Sequence, residues 1–135
     1  MSNLPIFDVA GSAMTAQSVR LSTVASNLAN ADSVSGDPNT VFRAKQPVFT
    51  TEQVGTNPAL QGVRAAQVLD SQAQPIKRYE PGHPLADGNG YVYAPDIDPV
   101  SQMVDLISAS RSYQANVEVF NSAKETALAT LNMGR

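Results

Sequence analysis

The sequence predicts a mainly α-helical protein with a small β-containing insertion. Its long N- and C-terminal helices are expected to pair as a coiled coil, and its middle domain is expected to consist of short strands and loops. Eight of the nine prolines lie between Pro38 and Pro99, and six of the eight glycines lie between Gly36 and Gly90. Because these residues interrupt regular elements, they separate two helical ends from an irregular middle.

The first helix is predicted from about Ile6 to about Asn30. Its apolar residues recur at heptad spacing, which is typical of a helix that packs along a partner helix. One row contains Phe7, Met14, Leu21 and Leu28, and the companion row contains Ala10, Val24 and Ala31, with Gln17 as the exception.

The second helix has clear boundaries, because Asp98 is a good N-cap and Pro99 suits the first helical position. Gly134 is expected to end the helix as a C′ residue. This helix exceeds the first by about ten residues, so part of it needs a partner beyond the first helix, which favours oligomerisation. Its apolar pattern contains Val100, Met103, Leu106, Ile107, Tyr113, Val117, Phe120, Ala127, Leu128 and Leu131.

The middle of the chain is expected to form a small antiparallel sheet with long loops around Gly36 and Gly55. A turn over residues 87–90 carries the sequence DGNG, which favours reversal of the chain before a strand. The predicted strands cover residues 41–45 and 48–51, separated by Pro47, and then residues 63–69, 76–79 and 91–93.

Composition excludes several classes of protein. The formal net charge of −3 argues against a nucleic-acid-binding protein, which would carry a basic face. The sequence has no cysteine, so disulfides, thiolate zinc sites and thiol nucleophiles are excluded. No apolar run is long enough to span a membrane, and the N-terminus lacks the pattern of a cleavable signal peptide.

Candidate catalytic and metal-binding residues are few. His83 is the only histidine and lies in a Pro-Gly-His-Pro loop, where we expect a turn residue that hydrogen-bonds locally. Oxygen-bearing side chains at Asp87, Asn89, Asp96 and Asp98 raise the question of calcium, but the spacing of a calcium-binding loop is absent. The sequence therefore predicts no enzymatic activity, no cofactor and no metal.

Five segments resemble the axial proteins of the bacterial flagellar rod and hook. Residues 26–33 have the sequence SNLANADS, and FRAKQ follows at residues 42–46. Further matches lie at residues 79–87 and 90–93, and ISASRSYQANVEV at residues 107–119 extends the match into the second helix. Because these matches are ordered and span nearly the whole chain, the sequence is identified as a member of the flagellar basal-body rod protein family.

The resemblance implies a structural subunit of the proximal rod that assembles by helix packing into a hollow, torque-transmitting shaft. It implies that residues 1–32 and 98–135 form an inner coiled-coil layer and that residues 33–97 form an inserted domain. The implied partners are further copies, other rod proteins, the flagellar export apparatus and basal-body base components. The implied location is the basal body across the periplasm, which the chain reaches by type III export without a cleaved signal peptide. The resemblance implies no nucleic-acid partner and no insertion into a membrane.

The candidate assembly residues are the apolar positions of the two helices. They comprise Met14, Leu21, Val24, Leu28, Met103, Tyr113, Val117, Phe120, Leu128 and Leu131. The family motif adds Asn27, Leu28, Ala29 and Asn30, whose two asparagines either cap the first helix or bond across subunits.

Two alternatives belong to other functional classes. A secreted helical hairpin would normally join its helices by a short turn, whereas about 65 residues intervene in this sequence. A periplasmic binding module would need a concave apolar pocket with convergent polar groups, and no motif indicates one.

Overall fold

The computed structural model describes residues 5–134, so the outer limits of the predicted terminal segments, residues 1 and 135, lie outside the described residues. The described chain contains two long helices around a middle region of short strands, which confirms the predicted fold class at this level. In order, the elements are α1 (Pro5–Ala29), β1 (Lys45–Gln53), β2 (Gln61–Asp70), β3 (Ile76–Tyr79), β4 (Tyr91–Ala94) and α2 (Pro99–Met133).

The two helices lie side by side and run in opposite directions. Near one end of the pair, the rings of Phe7 and Phe120 meet edge to face with centroids 4.8 Å apart. Towards the other end, Arg20 forms an ion pair with Asp105 at 2.9 Å. Since α2 has 35 residues and α1 has 25, the C-terminal part of α2 extends past Pro5 by about 16 Å.

The ends of α2 follow the predicted boundaries, with one difference in conformation. The Asp98 carboxylate accepts hydrogen bonds from the backbone N–H groups of Val100 and Ser101, each at 3.2 Å, and Pro99 opens the first turn. Gly134 follows the helix but has φ −91°, so the helix ends without the left-handed glycine that its position predicts.

β1 and β2 form an antiparallel hairpin, and β1 corrects the sequence prediction. Residues 41–44 are not a strand, and Pro47 lies inside β1 instead of separating two strands. The register pairs Lys45 with Asp70 and Pro47 with Val68, and it shifts by one residue after Val48.

Pro47 is tolerated because its backbone nitrogen faces away from β2. Two residues earlier, the Lys45 N–H and C=O both bond the side chain of Asn27, so this side of β1 is its outer edge. Pro47 has the same orientation as Lys45 in the strand, so its missing N–H removes no bond between the two strands.

The remaining strands form a second antiparallel pair, so the middle region contains two two-stranded sheets and not the single predicted sheet. The turn over residues 87–90 is present, and Gly90 takes the left-handed conformation with φ +81°. Ser35 exchanges two backbone hydrogen bonds with Tyr93, which ties the segment after α1 to β4.

The core is built from small side chains. Among residues 5–134, the largest side chain that is fully buried is Val92. The buried apolar residues are Ala10, Ala16, Val24, Val41, Val92, Ala94 and Ala109.

Candidate functional site

Asn27 connects three elements near the end of α1. Its side-chain nitrogen donates to the Lys45 carbonyl oxygen at 2.9 Å, and its side-chain oxygen accepts from the Lys45 N–H at 2.8 Å. The same nitrogen donates to the Gln102 Oε1 at 3.0 Å. Asn27 is 3% exposed. Its buried amide bonds the backbone N–H and C=O of Lys45 as a neighbouring strand would, and it thereby attaches β1 to both helices.

The other motif residues have local roles. Asn30 donates from its side chain to the Ser26 carbonyl oxygen at 2.8 Å, so it caps the end of α1. Leu28 is half-buried and Ala29 is exposed. Asn30 makes the local hydrogen bond expected of a cap, whereas Asn27 bonds β1 and α2 within its own chain.

A second polar contact fixes the hairpin near the start of α1. The Ser12 hydroxyl accepts a hydrogen bond from the Val63 N–H at 3.1 Å and donates to the Val9 carbonyl oxygen at 2.8 Å. A Cβ atom on Gly62 would lie 2.6 Å from the Ser12 Oγ, so only glycine permits this approach. Ser12 and Asn27 therefore hold the hairpin along α1 at two separated points.

The candidate assembly residues of α1 all face other parts of the chain. Val24 is buried, and Met14, Leu21 and Leu28 are half-buried. Leu21 lines a shallow depression with Leu106 of α2, which places it beside the helix pair.

The candidate residues of α2 divide into two groups. Three half-buried residues, Tyr113, Val117 and Phe120, lie in the middle of the helix. The other three are at least half exposed: Met103 at 50%, Leu128 at 50% and Leu131 at 69%. A single α1 helix therefore does not cover the predicted apolar pattern of α2.

Further aliphatic residues are exposed near the start of α2. Val100 is 68% exposed, Val104 is 61% exposed and Ile107 is 55% exposed. Because they are separated by four and then three residues, these side chains lie in one row along the helix, and Met103 lies beside that row. We call Val100, Met103, Val104 and Ile107 the α2 ridge.

A wide groove lies at the other end of α2, where Ile6 of α1 meets the second half of the helix. Its volume is about 940 Å³. Most of its walls are small or aliphatic side chains, without the convergent polar groups of a small-molecule site. The lining residues on α2 are Ala115, Glu118, Val119, Ser122, Ala123, Thr126, Ala127, Thr130 and Leu131.

His83 hydrogen-bonds within its own loop, as the sequence predicts. Its Nδ1 accepts from the Leu85 N–H at 3.1 Å, and its backbone N–H donates to the Glu80 carbonyl oxygen at 3.0 Å. Over residues 5–134, no group of three or more histidine, cysteine or acidic side chains is arranged to hold a metal ion.

Asp87 organises the turn before β4. Its Oδ1 accepts hydrogen bonds from the N–H groups of Asn89 and Tyr91, both at 2.9 Å. The backbone hydrogen bond from Tyr91 lowers the pKa of the Asp87 carboxyl most, and the bond from Asn89 and the positive charge of Lys77 lower it further. Turn chemistry thus accounts for this aspartate.

Sequence reasoning missed the role of Asn27 because its partners lie 18 and 75 residues away. One signal was present, since Asn27 follows Val24 by three residues and so lies on the buried face of α1.

The described helices include none with the length and apolarity to cross a membrane.

Two family models match the ends of the chain. One, described as "Flagella basal body rod protein", matches residues 7–36. The other, described as "Flagellar basal body rod FlgEFG protein C-terminal", matches residues 89–133. Together these segments contain almost all of α1 and α2, together with Asn27 and the α2 ridge.

Curated relatives match over the whole chain. The flagellar basal-body rod protein FlgC of Salmonella typhimurium is 54% identical over 135 residues, which is 100% of both chains. FlgC of Escherichia coli O6:H1 is 56% identical over 137 residues, again with full coverage of both. FlgC of Aquifex aeolicus is 41% identical over 118 residues, or 87% of each chain.

Proposed function

Because this chain belongs to the flagellar basal-body rod protein family, and is therefore a structural subunit of the rod and not an enzyme, we propose that its terminal helices pack against those of neighbouring rod chains. In this proposal the subunit contributes stiffness through many shared helix contacts. No single residue then carries the torque that the shaft transmits.

The thin core supports assembly. Within residues 5–134, every leucine, isoleucine, methionine, phenylalanine and tyrosine retains some solvent exposure. A large apolar side chain contributes about 1.5–3 kcal/mol of stability when it is fully buried. Because these side chains are only partly buried, their further burial against neighbouring chains would stabilise an assembly. The exposed α2 ridge and Leu131, at opposite ends of one helix, are two such places.

We further propose that the helices and the middle region occupy different layers of the rod. Residues 1–32 and 98–135 form an inner layer in which α1 and α2 pair as a coiled coil, and residues 33–97 form an outer inserted domain. The proposed assembly contacts are the ten candidate apolar positions, some on the helix pair and some on the exposed faces. Heterologous contacts of this kind generate an open helical array when they do not close into a ring.

The proposal includes a route and a location. The chain leaves the cell interior through the flagellar type III export apparatus without a cleaved signal peptide and joins the rod across the periplasm. Its proposed partners there are further copies, other rod proteins and the components at the base of the basal body. The low charge of the sequence, with 16% charged residues, suits extensive protein–protein packing.

A deletion strain tests the structural function. We expect electron microscopy to show basal bodies without complete rods, and a plasmid copy of the full chain to restore them. Complete rods and normal swimming in the deletion strain would contradict the proposed function.

A matched pair of substitutions tests the helix contacts. Leu131→Asp places a charge on an exposed apolar position, where burial in an assembly would leave that charge unpaired. Asn132→Asp adds the same charge at the next, already polar and exposed position. We expect Leu131→Asp to block rod formation with export intact, and Asn132→Asp to swim; equal swimming of both would exclude Leu131 from the contact.

A further inference from the structure

Three residues of the α2 ridge belong to a longer row that ends in a positive charge. Val100, Val104, Ile107 and Arg111 follow one another at spacings of four, three and four residues, so they lie along one side of the helix. All four are exposed. The row is bulky and aliphatic over its first three positions.

α1 carries a row of the opposite character. After Asp8, the positions at spacings of three and four residues hold small side chains, so this side of α1 carries little side-chain volume. A Cβ atom on Gly11 would meet nothing within 4 Å, which shows open space above the helix there. The row comprises Asp8, Gly11, Thr15, Ser18, Ser22, Ala25 and Ala29, and all except Gly11 are exposed.

The charges of Asp8 and Arg111 determine the direction and register in which the two rows can pack. Neither Asp8 nor Arg111 takes part in an ion pair within the described part of the chain, whose pairs involve other residues. If the rows of two chains run antiparallel and Arg111 meets Asp8, then Ile107 falls on Gly11 and Val104 on Thr15. Ile107, the largest apolar residue of one row, then covers Gly11, the smallest residue of the other.

We propose that the α2 ridge of one copy packs antiparallel on the small-residue row of α1 in a second copy, with Arg111 paired to Asp8. This inference rests on the proposed function and names the partner and the register of one contact. The occupant is a second copy because one chain carries both rows with complementary shape and charge. The rows lie on different helices, so the contact is heterologous and leaves a free row on each outer chain.

The register also sets a displacement between copies. In an antiparallel helix pair, the residue numbers of two facing positions have a constant sum, which defines the register. Within one chain, Phe7 lies opposite Phe120, so this sum is about 127. In the proposed contact, Asp8 faces Arg111 and the sum is 119. The difference of eight residues corresponds to an axial shift of about 12 Å between neighbouring copies, which gives a stepped array instead of a flat ring.

Cysteine cross-linking tests the register, since the natural chain contains no cysteine. In cells that assemble rods, the double variant Thr15→Cys/Val104→Cys should give a ladder of cross-linked copies upon oxidation. Ser22→Cys/Val104→Cys is the matched control, because Ser22 lies in the same row but one heptad further along. A ladder only in the Ser22 variant, or no ladder in the Thr15 variant although its rods assemble, would overturn the proposal.

Charge reversal tests the ion pair in the same cross-linking background. Asp8→Arg alone and Arg111→Asp alone should each lower the cross-linked fraction at least about tenfold, because like charges then face each other. The combination Asp8→Arg/Arg111→Asp should restore it, with equal amounts of exported protein in all strains. If the combination is no better than the single variants while the parent chain still builds rods, this contact is wrong and the proposed function stands.

Discussion

Replacing Asn27 by alanine is the most informative perturbation of the fold. Its amide provides hydrogen bonds to both backbone groups of Lys45 and to Gln102, at 2.8–3.0 Å. Alanine removes all three bonds and leaves the Lys45 N–H and C=O without a partner on the outer edge of β1. The substitution therefore affects the attachment of the hairpin and of α2 at the same time.

The expected cost follows from the burial of the site. A polar group that loses its partner in a buried position costs about 1–3 kcal/mol, and an ordinary hydrogen bond contributes about 0.5–1.5 kcal/mol. With Asn27 3% exposed and Lys45 half-buried, we expect Asn27→Ala to lower the free energy of unfolding by about 2–4 kcal/mol. That is a large share of the stability of a small domain.

Asn30 provides a matched control from the same motif. It makes one side-chain bond, to the Ser26 carbonyl, and is half-buried, so Asn30→Ala should cost about 1 kcal/mol or less. A second variant, Asn27→Asp, keeps the volume but turns an acceptor oxygen towards the Lys45 carbonyl and the Gln102 Oε1. It should be at least as destabilising as Asn27→Ala at neutral pH.

Urea unfolding of the full chain measures the differences, and amide hydrogen exchange at Lys45 locates them. We expect the Lys45 amide to lose protection in both Asn27 variants and to keep it in Asn30→Ala. Equal unfolding free energies for Asn27→Ala and Asn30→Ala, with the Lys45 amide still protected, would refute the reasoning. In that case the three hydrogen bonds of Asn27 would together contribute no more than the single side-chain bond of Asn30.

Three further predictions concern single polar groups. The Gln17 Oε1 is buried without a hydrogen-bond partner, so Gln17→Met should raise the free energy of unfolding by about 1 kcal/mol in urea titrations; a decrease would show that the amide is satisfied. Because the Tyr91 N–H lowers the pKa of Asp87 in the folded chain, this carboxylate stabilises the fold above about pH 4, and its contribution is lost as the pH falls further. Asp87→Asn should abolish that part of the acid dependence in thermal melts, and an unchanged pH profile would contradict it. His83→Ala removes one hydrogen bond to the Leu85 N–H, so it should cost about 0.5–1.5 kcal/mol and leave swimming in soft agar nearly unchanged, whereas loss of swimming with normal rods would indicate a further role.

Local signals predicted the helices, and non-local contacts account for what the sequence did not reveal. Asp98 and Pro99 start α2 through bonds within three residues, so a sequence pattern is sufficient there. Pro47 misled the strand prediction because its tolerance depends on which side of β1 faces β2, and Asn27 on a distant helix occupies that outer edge. No short-range rule contains this information.

The exposed apolar surface of α2 was predictable only in part, for a geometric reason. Heptad spacing shows that α2 has apolar residues, but it does not show how many partners share them. Phe120 contacts Phe7, whereas Ile107 is 55% exposed, and both belong to the same predicted pattern. One α1 helix covers one side of α2, so the width of the apolar pattern exceeds what a two-helix pair can bury.

The edges of the hairpin agree with the proposal that assembly uses helices and not strands. An open strand edge pairs readily with another chain, and a rod subunit meets many neighbours at close range. In β1, Asn27 occupies the backbone groups of Lys45, and Pro47 has no N–H to offer. In β2, Ser12 occupies the N–H of Val63. With these edge groups already satisfied or missing, edge-to-edge pairing gains little at these positions, whereas α2 exposes eight large apolar residues whose burial would be favourable.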